Sequence, residues 1–134
     1  MQRSASAVWR GAGKDGSGVL TTPSGALKEQ PYSFKTRFAS EDGRAGTNPE
    51  ELLAAAHASC YSMALASGLV GGGWDPMEIK TSCTVGLEVG VGIVSSKLVT
   101  TVELDGEIAD DKLREVLERE GRLAPADQRV EVVA

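Results

Sequence analysis

The chain has 134 residues, with 14 Lys and Arg against 19 Asp and Glu and a formal net charge of −5. We expect residues 1–134 to form a single domain around one hydrophobic core. The acidic balance argues against nucleic acid as a partner, because phosphate binding requires a positive surface. No run approaches the roughly 18 apolar residues of a membrane span, and the N-terminus lacks the apolar stretch of a secretion signal. A cytoplasmic protein without membrane association is therefore expected.

Residues that bind soft metals are sparse in this sequence. They are two cysteines, Cys60 and Cys83, and one histidine, His57. Their spacing matches no zinc motif and neither cysteine lies in a C-x-x-C pair. We therefore expect neither a metal nor another cofactor.

The first forty residues have the pattern of strands separated by turns. Short β-prone runs at 4–9 and 19–22 flank a glycine-rich stretch. Residues 32–38 alternate, so Tyr32, Phe34 and Phe38 share one face of a third strand and Arg37 lies on the other face. An antiparallel meander of three strands is predicted. Residues 11–16 match G-x-G-x-x-G, but strand-like sequence follows instead of a helix, which favours a hairpin connection over a dinucleotide site.

The strongest helix start in the chain follows at Asn48. Asn48 suits the N-cap, Pro49 the first helical position, and Glu51 the third position after the cap. The following residues are rich in alanine and apolar on most sides up to the glycines at 71–73, which predicts a buried central helix that is closely approached from several directions.

The remaining sequence predicts strands at 77–89 and 93–104, a helix at about 109–120 and a closing strand at 129–134. The element order is then β-β-β-α-β-β-α-β. This order indicates an α+β fold with antiparallel sheets.

Cys60 is the main candidate for chemistry. A cysteine in an alanine-rich helix is commonly a small buried hydrophobe, but His57 lies one turn earlier on the same face, so a thiol–imidazole nucleophile pair is the alternative. His57 itself is equally consistent with a packed histidine that has one satisfied nitrogen. The helix dipole fades within the first turn, so a reactive Cys60 needs a nearby cation, for which Arg37 is the candidate. Cys83 falls in a period-two apolar set and is interpreted as a buried structural cysteine.

Glu50 imposes a geometric condition. On a straight helix it lies about 15 Å along the axis from Cys60. A carboxylate there is also a favourable partner of the helix dipole, without any functional role. If Glu50 does act together with Cys60, the two residues must come from different chains whose central helices cross, which requires a dimer.

Two stretches, QPYSFKTRF at 30–38 and GTNPEELLAAAHASCYSMAL at 46–65, resemble the OsmC/Ohr family of osmotically inducible and organic-hydroperoxide-resistance proteins. Arg37 together with His57 resembles the OsmC branch. The resemblance implies an intertwined α+β homodimer, with active sites at the subunit interface, that reduces organic hydroperoxides with an external thiol or dithiol. It also implies roles for three residues: Cys60 as the peroxidatic thiol, Arg37 as the cation that holds the thiolate, and Glu50 as the carboxylate that positions Arg37.

The chain departs from the family at its second cysteine. The family places a resolving cysteine after the second helix, usually before a proline, whereas 120–128 contains none. Ala124 before Pro125 is the best equivalent, and Arg122 is the other possibility. Either an external thiol resolves the sulfenic acid, or turnover is weak. The alternative function is a non-catalytic relative that binds a small apolar ligand at the dimer interface.

Overall fold

The structure, a computed structural model, describes residues 1–120 and the backbone of 128–133. The chain separates into two compact units, Met1–Leu52 and Leu53–Ala134. The position that corresponds to the family's second cysteine, whether Ala124 or Arg122, lies outside the described residues.

The first unit is built on a small sheet. Strands β1 (Ser6–Arg10), β2 (Ser17–Thr21) and β3 (Gln30–Ser33) form an antiparallel meander in the order β1-β2-β3, which confirms the predicted arrangement. A short 3-10 turn at Gly13–Asp15 connects β1 to β2. The glycine-rich motif therefore lies between two strands, without the following helix that a pyrophosphate site requires.

The third strand is shorter than the prediction, because it ends at Ser33 and Phe34–Phe38 form helix α1. The Thr36 N–H donates to Ser33 Oγ at 3.1 Å and the Ser33 N–H donates to Thr36 Oγ1 at 2.9 Å, a reciprocal capping box. The rings of Phe34 and Phe38, one helical turn apart, have centroids 4.8 Å apart. The prediction that Arg37 lies in a strand is therefore wrong, and the residue belongs to a short helix.

Helix α2 (Pro49–Gly71) begins as the sequence predicts. The Glu51 N–H donates to Asn48 Oδ1 at 2.8 Å, and Thr47 Oγ1 donates to the Glu51 carboxylate at 2.8 Å. The helix ends at the predicted glycines, where Gly73 has φ +92°, a conformation that side chains with a Cβ rarely adopt.

The second unit contains a long hairpin of β4 (Asp75–Glu88) and β5 (Gly92–Asp105), followed by α3 (Asp110–Glu120) and β6 (Gln128–Val133). Strands β4 and β5 are antiparallel, whereas β6 pairs parallel to β5. The α+β class is confirmed, although this sheet is mixed and not purely antiparallel. The reason is the helical connection, since a crossover between β5 and β6 lets both strands run in the same direction.

The core of the second unit lies between α2, β5 and α3. Its buried side chains are Tyr61, Leu65, Leu69, Leu98, Val102, Leu104 and Val116. Gly68 allows α3 to come close, since a Cβ there would lie 2.9 Å from Val116 Cγ1. Burial, followed by the nearby charge of Glu120, raises the pKa of Tyr61 above its ordinary value, so the phenol stays protonated in the core.

The predicted burial of α2 on several sides is wrong for the single chain. Its buried residues, Tyr61, Leu65, Gly68 and Leu69, form one face, while Met63 and Val70 are 73% and 61% exposed. By length and composition α2 is long and apolar enough to cross a membrane, with a mean hydropathy of 1.3. Core helices of soluble proteins pass the same test, and the buried face of α2 belongs to the hydrophobic cluster of the second unit.

Candidate active site

An arginine–glutamate pair links α1 to the first turn of α2 within the first unit. Arg37 Nη2 donates to Glu50 Oε1 at 2.6 Å, and Arg37 Nε lies 3.1 and 3.2 Å from the two carboxylate oxygens. The Glu50 side chain is 14% exposed and that of Arg37 is 34% exposed. Because two N–H groups on one edge of the guanidinium engage the same carboxylate, the plane of the guanidinium is fixed, while part of the group remains accessible.

An aromatic cavity of about 220 Å³ adjoins this pair. It is lined by Trp9, Tyr32, Ser33, Phe34, Arg37, Phe38 and Pro49. The rings of Trp9 and Tyr32 have centroids 5.3 Å apart, and Arg37 Cζ lies 4.9 Å from the ring centre of Phe38. A cavity with apolar walls and one cationic group suits a small organic molecule that carries a polar or anionic end.

Cys60 lies in the middle of an exposed face of α2 in the second unit. It is exposed as a free thiol and is not the buried hydrophobe of the simpler interpretation. Its face carries exposed residues at alternating spacings of three and four: Leu53, Ala56, Cys60, Met63, Ser67 and Val70. We call these six residues the α2 seam. This spacing is the pattern of helices that pair with another helix along one side.

His57 is held on the hairpin of the second unit by polar contacts. Its Nδ1 lies 2.6 Å from Ser96 Oγ, while Cys83 Sγ lies 3.3 Å from Ser96 Oγ and 3.8 Å from His57 Nδ1. One ring nitrogen of His57 is therefore satisfied, as expected for a packed histidine, and this contact leaves a role toward Cys60 untested. Cys83 packs at the edge of the core as predicted, but it is only partly buried and its thiol contacts a hydroxyl and an imidazole.

Ser96 was missing from the sequence-based candidates, although a signal was present. Residues 98, 100, 102 and 104 alternate onto the core face of β5, and the same period places Ser96 on that face one step earlier. A second polar connection lies nearby: Ser62 Oγ donates to Thr81 Oγ1 at 2.7 Å, which in turn lies 3.1 Å from the buried Thr100 Oγ1. Polar contacts therefore hold α2 to the hairpin both before and after Cys60.

Among the described residues, no group of three or more His, Cys, Asp or Glu side chains is arranged to hold a metal ion. The structure brings Arg37 and Glu50 together in the first unit, and places Cys60 on α2 in the second. These positions define an α+β protein with an accessible thiol on a long helix and an arginine held by a carboxylate beside an apolar cavity.

The OsmC-like protein family model matches residues 40–129. Peroxiredoxin OsmC of Escherichia coli (strain K12) is 45% identical over 104 residues, which cover 77% of this chain and 68% of the relative. Peroxiredoxin OsmC of Shigella flexneri matches to the same extent. The chain belongs to the OsmC-like family.

Solved structures with lower identity show the same fold. The OsmC-like protein of Mycoplasma pneumoniae matches with a TM-score of 0.69 at 11% identity, covering 99% of this chain and 96% of that one. The organic hydroperoxide resistance protein OhrB of Bacillus subtilis matches with a TM-score of 0.56 at 23% identity, covering 97% and 98%.

Proposed function

We propose that this protein is a thiol-dependent peroxidase that reduces organic hydroperoxides, with Cys60 as the attacking thiol. The observation that carries the proposal is the 45% identity to a protein named peroxiredoxin in a chain that keeps an exposed cysteine on α2. The aromatic cavity beside Arg37 supports an organic substrate over hydrogen peroxide, because its walls offer apolar contact to a carbon group.

The chemistry follows from the thiol. The Cys60 thiolate attacks the terminal oxygen of the hydroperoxide, the O–O bond breaks, and the products are a Cys60 sulfenic acid and an alkoxide that takes up a proton. The Arg37 guanidinium would favour the thiolate and hold the peroxide oxygens, since a cation stabilises both negative charges. Glu50 would keep the guanidinium in one orientation through the contacts described above.

The sulfenic acid is resolved by an external thiol in this proposal. No cysteine occurs between residues 120 and 128, where the family has its second one. An incoming thiol condenses with the sulfenic acid to form a mixed disulfide and water. A second thiol then attacks the mixed disulfide, which frees the Cys60 thiol and leaves the reductant as a disulfide.

A direct assay tests this function. With tert-butyl hydroperoxide and excess dithiothreitol, we expect the protein to consume peroxide and to oxidise one dithiol per peroxide. Without dithiol, one equivalent of peroxide should leave a Cys60 sulfenic acid that dimedone traps. Peroxide consumption no faster than in buffer would contradict the function, and a quantitative Cys60–Cys83 disulfide would contradict external resolution.

The working protein is proposed to be a cytoplasmic homodimer joined along the α2 seam. The seam leaves apolar side chains exposed in the single chain, which is the signature of an interaction surface. Glu50 and Cys60 of the same chain are separated by about 15 Å of helix rise, so they act together only if they come from different chains. Pairing of two α2 helices would bring the start of one helix near the middle of the other and so meet this condition.

Light scattering after size exclusion checks the dimer. We expect a mass of twice the 14.0 kDa of one chain. Met63→Glu should reduce it to the monomer, because a charge would be buried in the seam, whereas Val89→Glu, at a position 82% exposed between β4 and β5, should not change it. A wild-type mass of one chain would refute the dimer.

A non-catalytic role is the second candidate, favoured by the same cavity. Its volume and aromatic walls would also retain a small apolar ligand without any reaction at Cys60. In that case ligand binding would be unchanged by removal of the Cys60 thiol, and no peroxide would be consumed.

A further inference from the structure

Three side chains outside the proposed Cys60–Arg37–Glu50 set form a continuous chain of groups that exchange protons. They are Cys83 on β4, Ser96 on β5 and His57 on α2, joined at 3.3 Å from sulfur to hydroxyl and at 2.6 Å from hydroxyl to imidazole. All three are partly buried. The hydroxyl in the middle both accepts and donates, so the chain can carry a proton from the thiol to the ring.

The proposed reaction has a proton requirement that its own residues do not meet. Cleavage of the O–O bond releases an alkoxide, a far stronger base than a thiolate. An arginine guanidinium is not a proton donor in proteins, and the Glu50 oxygens accept hydrogen bonds from Arg37. A separate proton donor near Cys60 would therefore lower the barrier.

The position of His57 fits this requirement. It precedes Cys60 by one turn on the same helix, where Cβ atoms lie about 5–6 Å apart. Its Nδ1 is directed to Ser96 on the hairpin. No described residue forms a hydrogen bond with Nε2, and this atom is not buried, so the second nitrogen of the ring is open to solvent on the residue one turn before Cys60.

We propose that His57 is the general acid of the peroxidase reaction and that Ser96 and Cys83 supply its proton, an inference that rests on the proposed function. When the Cys60 thiolate takes the terminal oxygen, His57 Nε2–H protonates the departing alkoxide. At the same time Nδ1 takes the Ser96 hydroxyl proton, and Ser96 takes the thiol proton of Cys83. Cys60–S⁻, ROOH and Cys83–SH thus become Cys60–SOH, ROH and Cys83–S⁻. Nε2 then takes a proton from solvent while the Nδ1 proton returns through Ser96 to Cys83, which restores the starting tautomer.

A comparison of leaving groups tests the proposal. A hydroperoxide such as tert-butyl hydroperoxide releases an alkoxide that needs a proton, whereas peracetic acid releases a carboxylate that does not. His57→Gln should lower kcat/KM for tert-butyl hydroperoxide by about 100-fold and change that for peracetic acid less than about 2-fold. A merely structural role would lower both values together.

Ser96→Ala is the second variant, because it breaks the chain with no substitution in the helix that carries His57 and Cys60. It should lower kcat/KM for the hydroperoxide selectively, by about 10-fold, since His57 keeps its ring but loses its proton supply. Ser95→Ala, at the exposed neighbouring position of β5, is the matched control and should leave both rates unchanged. An equal loss with both oxidants, or no loss in either variant, would overturn the proposal.

A spectroscopic measurement needs no turnover and separates this proposal from the function itself. Because His57 is the single histidine of the chain, nitrogen NMR reports its tautomer without assignment. With the neutral ring we expect the proton on Nε2 in wild type and a mixture of tautomers in Ser96→Ala. A proton on Nδ1 would overturn the relay even if peroxide is reduced, whereas lack of peroxide reduction together with the Nε2 tautomer would refute only the enzymatic role.

Discussion

Cys60→Ser is expected to reduce hydroperoxide consumption to the rate in buffer, a loss of about 1,000-fold or more, because the hydroxyl that replaces the thiol is not ionised at neutral pH and does not attack the O–O bond. The measurement is peroxide loss with excess dithiol, compared with wild type. The substitution places a smaller polar group at an exposed position of α2, so we expect the fold to be retained.

Cys83→Ser is the matched control for this result. It removes the other cysteine of the chain while keeping a hydroxyl that can donate to Ser96. Because the proposed relay uses the Cys83 proton, the comparison is made with peracetic acid, whose leaving group needs no proton. With this oxidant Cys83→Ser should keep the wild-type rate and Cys60→Ser should lose it, which assigns the peroxidatic role to Cys60 and not to thiols in general. Equal consumption by wild type and Cys60→Ser would refute the peroxidase function.

Arg37→Ala is expected to lower kcat/KM for tert-butyl hydroperoxide by about 100-fold, because a cation that favours the thiolate and the developing oxyanion is lost. Removal of a positive charge disfavours the ionised thiol, so alkylation of Cys60 by iodoacetamide should require higher pH than in wild type. An unchanged pH profile of alkylation would rule out Arg37 as the partner of this thiol.

Glu50→Gln separates orientation from charge. The amide keeps the shape of the carboxylate and removes its negative charge, so the guanidinium is held less firmly while its charge remains. We expect a loss of about 10-fold, smaller than that of Arg37→Ala. Glu51→Gln, on the next residue of the same helix turn, is the control and should retain activity.

Signals confined to a few neighbouring residues made the central helix predictable. Asn48, Pro49 and Glu51 specify the start of α2 through their own backbone and side-chain groups, and the structure has the same cap. The strands with period-two apolar residues were predictable for the same reason, since alternation reports directly on a face that packs against a core.

The segment at 34–38 shows where such reasoning fails. Aromatic residues at alternate positions indicate a strand, yet Phe34 and Phe38 are also one helical turn apart, and a five-residue segment fits both periods. The reciprocal hydrogen bonds between Ser33 and Thr36 stabilise the first turn of the helix and so favour it over the strand. The parallel pairing of β6 was equally hidden, because it depends on the path of the chain after α3 and not on the strand's own residues.

Of the candidate site, the Arg37–Glu50 contact was expected from family resemblance alone, because no local pattern relates residues on two different elements. The network of His57, Ser96 and Cys83 depends on the register of the β4–β5 hairpin, which sets which side chains meet beneath α2. Register is a property of two strands together, so neither strand's sequence determines it separately.

The α2 seam places the Cys60 sulfur, the proposed nucleophile, on the same line as the side chains that would join two subunits. Quaternary assembly and reactivity are then coupled through one helix, and a replacement at Leu53 or Val70 would weaken catalysis without touching the substrate. In the proposed dimer, substitutions along this line would therefore have two effects, one on the packing between protomers and one on the surroundings of the thiol.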